Sequence, residues 1–387
     1  MKLKLCASSS ALVLLGCMGS TADEAADLTP PIEIEELTVE SEITPGPNMY
    51  VVSSNWGGAS AVTVLSADDL SYKGNIATGM TPQFFLAADN SIGYVASAFA
   101  ERITYGDISA FFQEVDIKTL AFGQEVKVPE KLAQTMAQMP AMSVTENGKW
   151  AFVQNATPAT SISVIDLEKG EVVSEIPNPG CWGIYPSSTP TKYSTLCGDG
   201  ALVTYTFDED GKETSQTKSS TVFDIETKPL FVHSERAGDT LYFVTYDGTL
   251  ITLSDKSKKI SKVDEWTFTE GIEGDWAPGG YEVMALNAPN NIMFVLMHSG
   301  ATDGSHKDSS EEIWALDLKA KKVLYRSASE HMSHVDVTQD KDTPILFGSN
   351  SHEGGLYRYE IDPEAKYAAK LTASIKLDGV SYVVAEK

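Results

Sequence analysis

From Met49 onward, apolar and polar residues alternate in short runs, and no long stretch keeps the spacing of an amphipathic helix. β-branched and aromatic residues fill the apolar runs, and polar turns separate them. This pattern predicts an all-β protein built from many short strands.

One unit recurs along this region. A polar turn leads into an apolar strand, a loop follows, and a second strand ends in Asp or a substitute before a basic or glycine turn. The ends recur at roughly 40 to 60 residues, which is the period of propeller blades, so they predict a seven-bladed β-propeller. These ends are Val64-Leu65-Ser66, Glu114-Val115-Asp116, Val164-Ile165-Asp166, Tyr205-Thr206-Phe207, Ile251-Thr252-Leu253, Ala315-Leu316-Asp317 and Tyr359-Glu360-Ile361-Asp362.

The ring of blades must also be closed. The strands at 147–153, 238–244 and 290–295 are dense in large apolar side chains, as the inner strands of packed blades require. We expect residues 49–53 to join a blade completed by 381–384, because closure removes exposed strand edges. The competing architecture, a pair of β-sandwiches, predicts a linker in mid-chain, and the sequence contains none.

The amino terminus has the pattern of a secretory leader. A short basic region precedes the apolar run 11–15, which is too short to remain as a membrane-spanning helix. Leu14-Leu15-Gly16-Cys17 resembles a bacterial lipobox, which implies a signal peptide over 1–16 and a lipid on Cys17. Since Met18 replaces the aspartate associated with inner-membrane retention, we expect a lipid-anchored periplasmic protein at the outer membrane of a Gram-negative bacterium. Ordinary signal-peptidase cleavage to a soluble periplasmic product is the alternative.

Residues 17–47 form a predicted tether between this anchor and the propeller at 48–387. Residues 18–47 carry many carboxylates and prolines but no Lys or Arg, so charge repulsion keeps the segment extended. A segment that wraps a partner subunit is the alternative. The whole chain has a formal net charge of −25, which disfavours binding to nucleic acid. Such acidity suits attraction of amines or of a basic partner, or it serves solubility alone.

Few residues suggest catalytic chemistry. Of the six histidines only His331 and His334 are close, and no cysteine pair or carboxylate joins them at metal-ligand spacing, so we predict no metal site. The sequence contains no nucleophile elbow, phosphate-binding glycine loop or zinc-protease motif. The aspartates at strand ends are interpreted as turn caps. Trp276 in the segment Trp276-Ala277-Pro278-Gly279-Gly280 is interpreted as ordinary packing. We therefore predict no catalytic residue in this chain.

Cys181 and Cys197 are the candidates for a disulfide, with glycine and proline near each of them to permit tight turns. A bridge across that separation stabilises by about 3 kcal/mol and requires an oxidising compartment. Two free buried thiols are the alternative.

Several segments together resemble the heavy subunit of the quinoprotein amine dehydrogenases, the methylamine and aromatic amine dehydrogenase family. The resemblance extends in order over nearly all of residues 49–384. The matching segments are Val62-Thr63-Val64-Leu65, Gly79-Met80-Thr81-Pro82, Ala87-Ala88-Asp89-Asn90-Ser91, Ala96-Ser97 with Arg102, Thr157-Pro158-Ala159, Val164-Ile165-Asp166-Leu167, the block from Cys181 to Gly200, Trp276-Ala277-Pro278-Gly279-Gly280, His306-Lys307 with Ser309, and Leu316-Asp317.

This resemblance implies a seven-bladed propeller with a Cys181–Cys197 disulfide, in a heterotetramer of two heavy and two light chains. In the family the light chain carries tryptophan tryptophylquinone and the catalytic base. A primary amine is oxidised to aldehyde and ammonia, and the electrons pass to a periplasmic copper protein or cytochrome. The heavy chain itself carries no cofactor; it holds the light chain and shapes the substrate channel.

The resemblance also assigns one channel residue. The family places a bulky side chain at the channel mouth, and the matching position here is Met80; a buried gap-filling methionine is the alternative. Residues Tyr105-Gly106-Asp107-Ile108 stand where relatives usually carry an Arg-rich turn. The rival function is a lipid-anchored, non-enzymatic binding propeller. A propeller hydrolase is disfavoured because the sequence shows no nucleophile–base set.

Overall fold

The computed structural model describes residues 40–55, 59–103, 105–133 and 138–387, and residues 41–387 form one compact unit. The predicted signal peptide 1–16, Cys17 and tether residues 17–39 lie outside the described residues. Within the described ranges, no helix has both the length and the apolar character needed to cross a membrane.

The described chain forms seven antiparallel sheets, which are the seven predicted blades. In order outward from the axis, blades one to four contain β29 (Val380–Ala385), β1 (Asn48–Ser53), β2 (Ser60–Ser66) and β3 (Tyr72–Thr78); β4 (Met80–Leu86), β5 (Ile92–Ala100), β6 (Ile108–Asp116) and β7 (Phe122–Val128); β8 (Met142–Val144), β9 (Trp150–Asn155), β10 (Ser161–Asp166) and β11 (Glu171–Pro177); and β12 (Cys181–Pro186), β13 (Lys192–Cys197), β14 (Leu202–Phe207) and β15 (Glu213–Lys218).

Blades five to seven follow the same plan, except that the inner edge of blade six is split between two short strands. They contain β16 (Glu235–Ala237), β17 (Thr240–Val244), β18 (Thr249–Ser254) and β19 (Ser261–Thr267); β20 (Ala277–Pro278) and β21 (Met284–Asn287), β22 (Ile292–His298), β23 (Glu312–Asp317) and β24 (Lys322–Ala328); and β25 (His334–Val337), β26 (Ile345–Asn350), β27 (Gly355–Asp362) and β28 (Ala368–Lys376). Single 3-10 turns cover Met139–Ala141, Ala288–Asn290 and Ser305–Lys307.

The predicted strand ends are confirmed, because each falls in the third strand of its blade. The aspartates there cap turns as expected: Asp116 accepts from the Thr119 N–H at 2.8 Å, and Asp317 accepts from the Lys319 N–H at 2.9 Å. The hydrogen bond from the Thr119 N–H is the main reason why the pKa of the Asp116 carboxyl is lowered. The core lies between blades, where large aromatic side chains from neighbouring sheets meet; the Trp150 and Phe207 rings, for example, are 5.3 Å apart.

The predicted ring closure is also confirmed. β1 pairs antiparallel with β29, so that Tyr50 faces Val384 and Val52 faces Tyr382. The first blade therefore contains strands from both ends of the propeller sequence, and its inner strand comes from the carboxyl terminus. This pairing covers the strand edges that an open ring would expose.

The disulfide between Cys181 and Cys197 is present, and it joins residues that face each other in the register of β12 and β13. Both cysteines are buried in the aromatic cluster of blades three and four. The alternative of two free thiols is therefore excluded.

The last part of the predicted tether contacts the propeller. The Ile43 N–H donates to the Lys118 carbonyl at 2.8 Å, and the Lys118 ammonium pairs with Glu42 at 2.8 Å. The Ile43 side chain packs on the cluster between blades one and two. Residues 42 and 43 thus lie against the outer turn of blade two.

Candidate functional site

The inner strands β4, β8, β12, β16, β21, β25 and β29 surround the propeller axis and contact one another. They define two faces of the propeller. The starting face is where the inner strands begin, and the finishing face is where they end. Different side chains are exposed on the two faces, as described below for each face in turn.

The starting face contains most of the segments that carry the family resemblance. Gly79-Met80-Thr81-Pro82 opens β4, Cys181 opens β12, and the Trp276 segment includes β20. The Gly280 N–H donates to the His306 carbonyl at 3.0 Å, which brings the His306 segment to the same face. Segments scattered over the sequence therefore meet at one end of the axis.

Met80 is half-buried at the first position of β4 and pairs with Ala98 of β5. Its side chain packs on the edge of the cluster between blades two and three. The register shifts between Met80 and Gln83, and Thr81 adopts a left-handed φ of 45°. The local bulge places Met80 beside the hairpin that follows Ala98.

That hairpin joins β5 to β6 and exposes three large apolar side chains, which we call the hairpin surface: Phe99 at 39%, Ile103 at 69% and Tyr105 at 63% exposure. The Arg102 guanidinium lies 4.5 Å from the centre of the Tyr105 ring. The Phe99 ring packs edge-on against Phe111 at 5.9 Å. Three exposed apolar side chains on one hairpin make it a candidate interaction site.

Trp276 packs as interpreted from the sequence. The Arg326 guanidinium lies over both indole rings, 4.4 Å from the centre of Trp276 and 4.8 Å from that of Trp314. Arg326 is itself held by Glu312 at 2.6 Å. These contacts join the second half of blade six to its inner edge.

The finishing face opens into a cavity of about 570 Å³ on the axis, which we call the axial cavity. Apolar side chains, most of them from inner strands, form most of its wall, and a smaller number of charged side chains lie among them. The apolar members include Phe84, Met142, Ile184, Leu241 and Val384, and the charged members are Glu146, Glu235, Arg236, Asp336 and Lys387.

Three titratable side chains lie in contact from this cavity inward: Glu235, which is partly buried, and then His233 and Glu282, which are buried. His233 Nε2 lies 3.8 Å from Glu235 Oε1, and His233 Nδ1 lies 3.3 Å from Glu282 Oε2. Glu282 accepts a hydrogen bond from the Met139 N–H at 3.1 Å. The exposed fractions of the three side chains are 3% for His233, 13% for Glu235 and 2% for Glu282. We call these three residues the axial triad.

Burial determines the charge of this triad. It raises the pKa of Glu282 to about 8 and lowers the pKa of His233 to about 3. Burial also raises the pKa of Glu235 to about 8; the positive charge of Lys387 opposes this shift and the negative charge of Asp336 adds to it. All three groups are therefore mainly neutral at pH 7.

The two cations beside the cavity are held by carboxylates. Lys387 Nζ lies 2.6 Å from Asp336 Oδ1, and Arg236 Nη2 lies 2.7 Å from Asp255 Oδ2. Burial lowers the pKa of Lys387, but the negative charges of the neighbouring carboxylates, mainly Asp336, outweigh this effect, so that its pKa is raised. Both cations thus have anionic partners within the protein.

The two histidines that are close in sequence do not form a site. His331 is exposed in a turn with φ 52°, whereas His334 is buried and its Nδ1 lies 3.0 Å from Ser333 Oγ. Across the described residues, no three His, Cys, Asp or Glu side chains are grouped so as to hold a metal ion. The axial triad was not predicted from the sequence, since Glu282 is remote in sequence from His233 and no motif marks either residue.

Comparison with known proteins gives the family. A family model described as methylamine dehydrogenase heavy chain matches residues 48–373. The methylamine dehydrogenase heavy chain of Methylorubrum extorquens is 29% identical over 287 residues, covering 72% of this chain and 68% of that protein. The corresponding heavy chain of Methylophilus methylotrophus is 24% identical over 365 residues, covering 90% and 89%.

Solved structures agree on the fold. The periplasmic gluconolactonase of Pseudomonas aeruginosa superimposes with a TM-score of 0.62 at 14% identity, covering 87% of this chain and 98% of that one. A dihydro-heme d1 dehydrogenase superimposes with a TM-score of 0.52 at 12% identity, covering 89% and 80%. Identities this low support the architecture alone. Because the family match extends over most of the sequence, this chain belongs to the methylamine dehydrogenase heavy chain family.

Proposed function

We propose that this chain is the heavy subunit of a periplasmic amine dehydrogenase, which holds a small light chain on its starting face and shapes the path of a primary amine to that chain. The observation that carries the proposal is the family match over 48–373, together with an exposed apolar surface on the face where the matching segments meet. The enzyme converts the amine to aldehyde and ammonia.

The hairpin surface is the proposed contact for the light chain. Phe99, Ile103 and Tyr105 are contributed by one hairpin, and aromatic anchors of this kind dominate stable protein interfaces. The other strongly exposed apolar side chains are mostly isolated on outer strands, where single exposed residues are normal. These outer-strand residues are Tyr72, Phe122, Val263, Tyr325 and Leu371.

Met80 lies beside this contact and is the proposed channel residue. Its unbranched side chain is half-buried, so it can change rotamer without disturbing the inner strand. A flexible side chain at the mouth of a channel accommodates amines of different width. Met80 thus acts on substrate choice and not on the chemistry.

The quinone belongs to the light chain in this proposal. Trp276 and Trp314, whose rings are 5.7 Å apart, lie beneath Arg326, and the Trp314 indole N–H donates to Glu312, so this pair is committed to packing. Tryptophan tryptophylquinone on the light chain supplies the acceptor for the amine's electron pair. The present chain orients the light chain and excludes water around it.

The compartment and the electron acceptor follow from the same proposal. The disulfide Cys181–Cys197 suits an oxidising compartment, and a lipid on Cys17 would keep the complex at the outer membrane. From there the electrons pass to a periplasmic copper protein or cytochrome. The acidic surface of the full chain favours basic proteins as encounter partners.

Co-expression with a cysteine-rich light chain tests the proposal. We expect the two chains to co-purify, to stain for quinone and to reduce a dye when a primary amine is added. Ile103→Asp should abolish co-purification, because it places a charge in the contact. Val263→Asp is the matched control, since Val263 is similarly exposed at 58% on β19, and we expect it to retain the complex.

Two outcomes would contradict the proposal. A heavy chain that purifies alone from cells that make the light chain would favour the rival binding propeller. Equal loss of the complex in Ile103→Asp and Val263→Asp would remove the hairpin surface as the contact.

A further inference from the structure

The axial cavity has no part in the proposed amine dehydrogenase activity. It opens on the finishing face, whereas Met80 and the hairpin surface lie on the starting face. Its volume of about 570 Å³ exceeds that of several water molecules, and its wall is mainly apolar. A pocket of this kind on a propeller axis suits a small organic molecule.

The charges around the cavity favour a cation. Arg236 and Lys387 each contact a carboxylate within 2.7 Å, so neither is free to bind an anion. The Glu235 carboxyl, in contrast, has no Lys or Arg nitrogen within 4 Å in the described part of the chain. Glu235 is therefore the one deep carboxyl of the cavity without a Lys or Arg in direct contact among the described residues, although the charge of Lys387 reaches it from farther away.

His233 supplies a second, independent indication of a ligand. Its side chain is only 3% exposed and lines the cavity. Its buried Nδ1 has no hydrogen-bond partner among the described residues and lies 3.3 Å from Glu282 Oε2, so Nε2 is the ring nitrogen that faces Glu235. The 3.8 Å between His233 Nε2 and Glu235 Oε1 is too long for a hydrogen bond. A donor nitrogen placed at about 2.8 Å from both atoms would lie about 2 Å to the side of the line that joins them.

We propose that the axial cavity binds a small organic ammonium ion, with its charged nitrogen between Glu235 Oε1 and His233 Nε2 and its apolar body against the cavity wall. An ammonium group has three N–H donors and no acceptor, which matches a carboxylate and a neutral imidazole nitrogen. Phe84, Ile184 and Leu241 offer the apolar contacts. This site belongs to the heavy chain alone and needs neither a light chain nor a quinone.

Binding of a cation changes the protonation of Glu235. The groups that face Glu235 are His233 from its own segment, Glu282 before β21, Asp336 of β25 and Lys387 after β29. Since burial raises the pKa of Glu235 to about 8, it is mostly protonated at pH 7 in the free protein. An ammonium ion binds the ionised form, so binding releases a proton and affinity rises about tenfold from pH 6 to 7 and levels off near pH 8.

Isothermal titration calorimetry of the full chain with 2-phenylethylammonium tests the site directly. We expect saturable one-to-one binding, a proton release that shows as a dependence on buffer ionisation enthalpy, and at least tenfold weaker binding of the neutral 2-phenylethanol. Glu235→Gln should weaken the ammonium at least tenfold. Glu353→Gln, which removes an exposed carboxylate outside the cavity, should leave the affinity unchanged.

A second variant keeps the test independent of the folding of Glu235→Gln. Ser234→Trp retains the carboxylate but fills the cavity with a large ring, so we expect it to abolish binding while the thermal midpoint stays within a few degrees. Equal affinity for the ammonium and the alcohol, no saturable binding, or binding that survives both variants would overturn the proposal. Because the light chain is absent from these titrations, none of these results bears on the proposed dehydrogenase.

Discussion

The contact between the carboxyl-terminal strand β29 and the second blade offers a direct test of the structure through Tyr382→Phe. Tyr382 lies on β29, is fully buried, and reaches across to β4 of the next blade. Its hydroxyl accepts from the Phe84 N–H at 2.7 Å and donates to the Phe84 carbonyl at 3.1 Å. The substitution removes one oxygen atom and two hydrogen bonds between the first and second blades.

The expected cost follows from the groups that are left behind. Each hydrogen bond contributes about 1 kcal/mol, and a buried backbone group without a partner costs about 1–3 kcal/mol. Phe84 is only 3% exposed, so water replaces the hydroxyl incompletely. We therefore expect a loss of about 2–3 kcal/mol in the free energy of unfolding. For a unit covering residues 41–387, this corresponds to about 3 °C in the thermal midpoint.

Urea unfolding followed by tryptophan fluorescence, together with calorimetry, measures this loss. Tyr94→Phe is the matched control, because Tyr94 is also buried but its hydroxyl makes no hydrogen bond among the described residues. We expect the control to change stability by less than about 0.5 kcal/mol. If Tyr382→Phe is as stable as the control, the two hydrogen bonds between the Tyr382 hydroxyl and the Phe84 backbone do not stabilise the propeller, which would refute this prediction.

Two further perturbations address the disulfide and the axial triad. Replacing both Cys181 and Cys197 by Ser should lower the free energy of unfolding by about 3 kcal/mol. Wild-type protein kept reduced should show the same loss in urea. Unequal losses would mean that the serine side chains change stability by more than the loss of the disulfide. The pKa of Glu282 is about 8 in the folded protein against 4.5 for an unburied glutamate, so between pH 5 and 8 the folded wild type binds a proton that the unfolded chain does not. The wild type therefore loses free energy of unfolding as the pH rises through this range. Glu282→Gln has no such proton, so it should gain stability relative to the wild type. Urea titrations across that range should show a growing difference, and a constant one would contradict the assignment.

The fold was predictable because its main signals are local. A strand buried on both faces, such as β10 with all residues buried, leaves a dense apolar run in the sequence. Asp166 at its end marks the turn, and a run of apolar residues ending in Asp or a substitute recurs in the third strand of the other blades. Ring closure could be predicted because β1 has a neighbouring partner in β2 on one edge only, and a closed propeller requires a second partner, which the matching run at 381–384 supplies. The family resemblance added the pairing of the cysteines.

The outer strands and the axial triad were not predictable in the same way. β15 is almost fully exposed and consists of polar residues, so its sequence has no apolar pattern to distinguish it from a loop. His233 and Glu282 lie on different blades and meet only because both inner edges face the axis. Their contact depends on the ring geometry, which a local pattern does not contain. The prominent pair His331 and His334, by contrast, is divided between an exposed turn and a buried strand.

The axial triad is difficult to explain by stability alone. Burying two carboxyl groups and an imidazole with few hydrogen bonds costs free energy, whereas apolar side chains could fill the same space at no such cost. The presence of Glu235 and His233 beside an open cavity is therefore better explained by the binding of an ammonium ion between them. If the two faces have separate tasks, Ile103→Asp should lose the light chain and keep ammonium binding, while Glu235→Gln should do the reverse. Loss of both properties in either variant would mean that the faces are coupled through the inner strands.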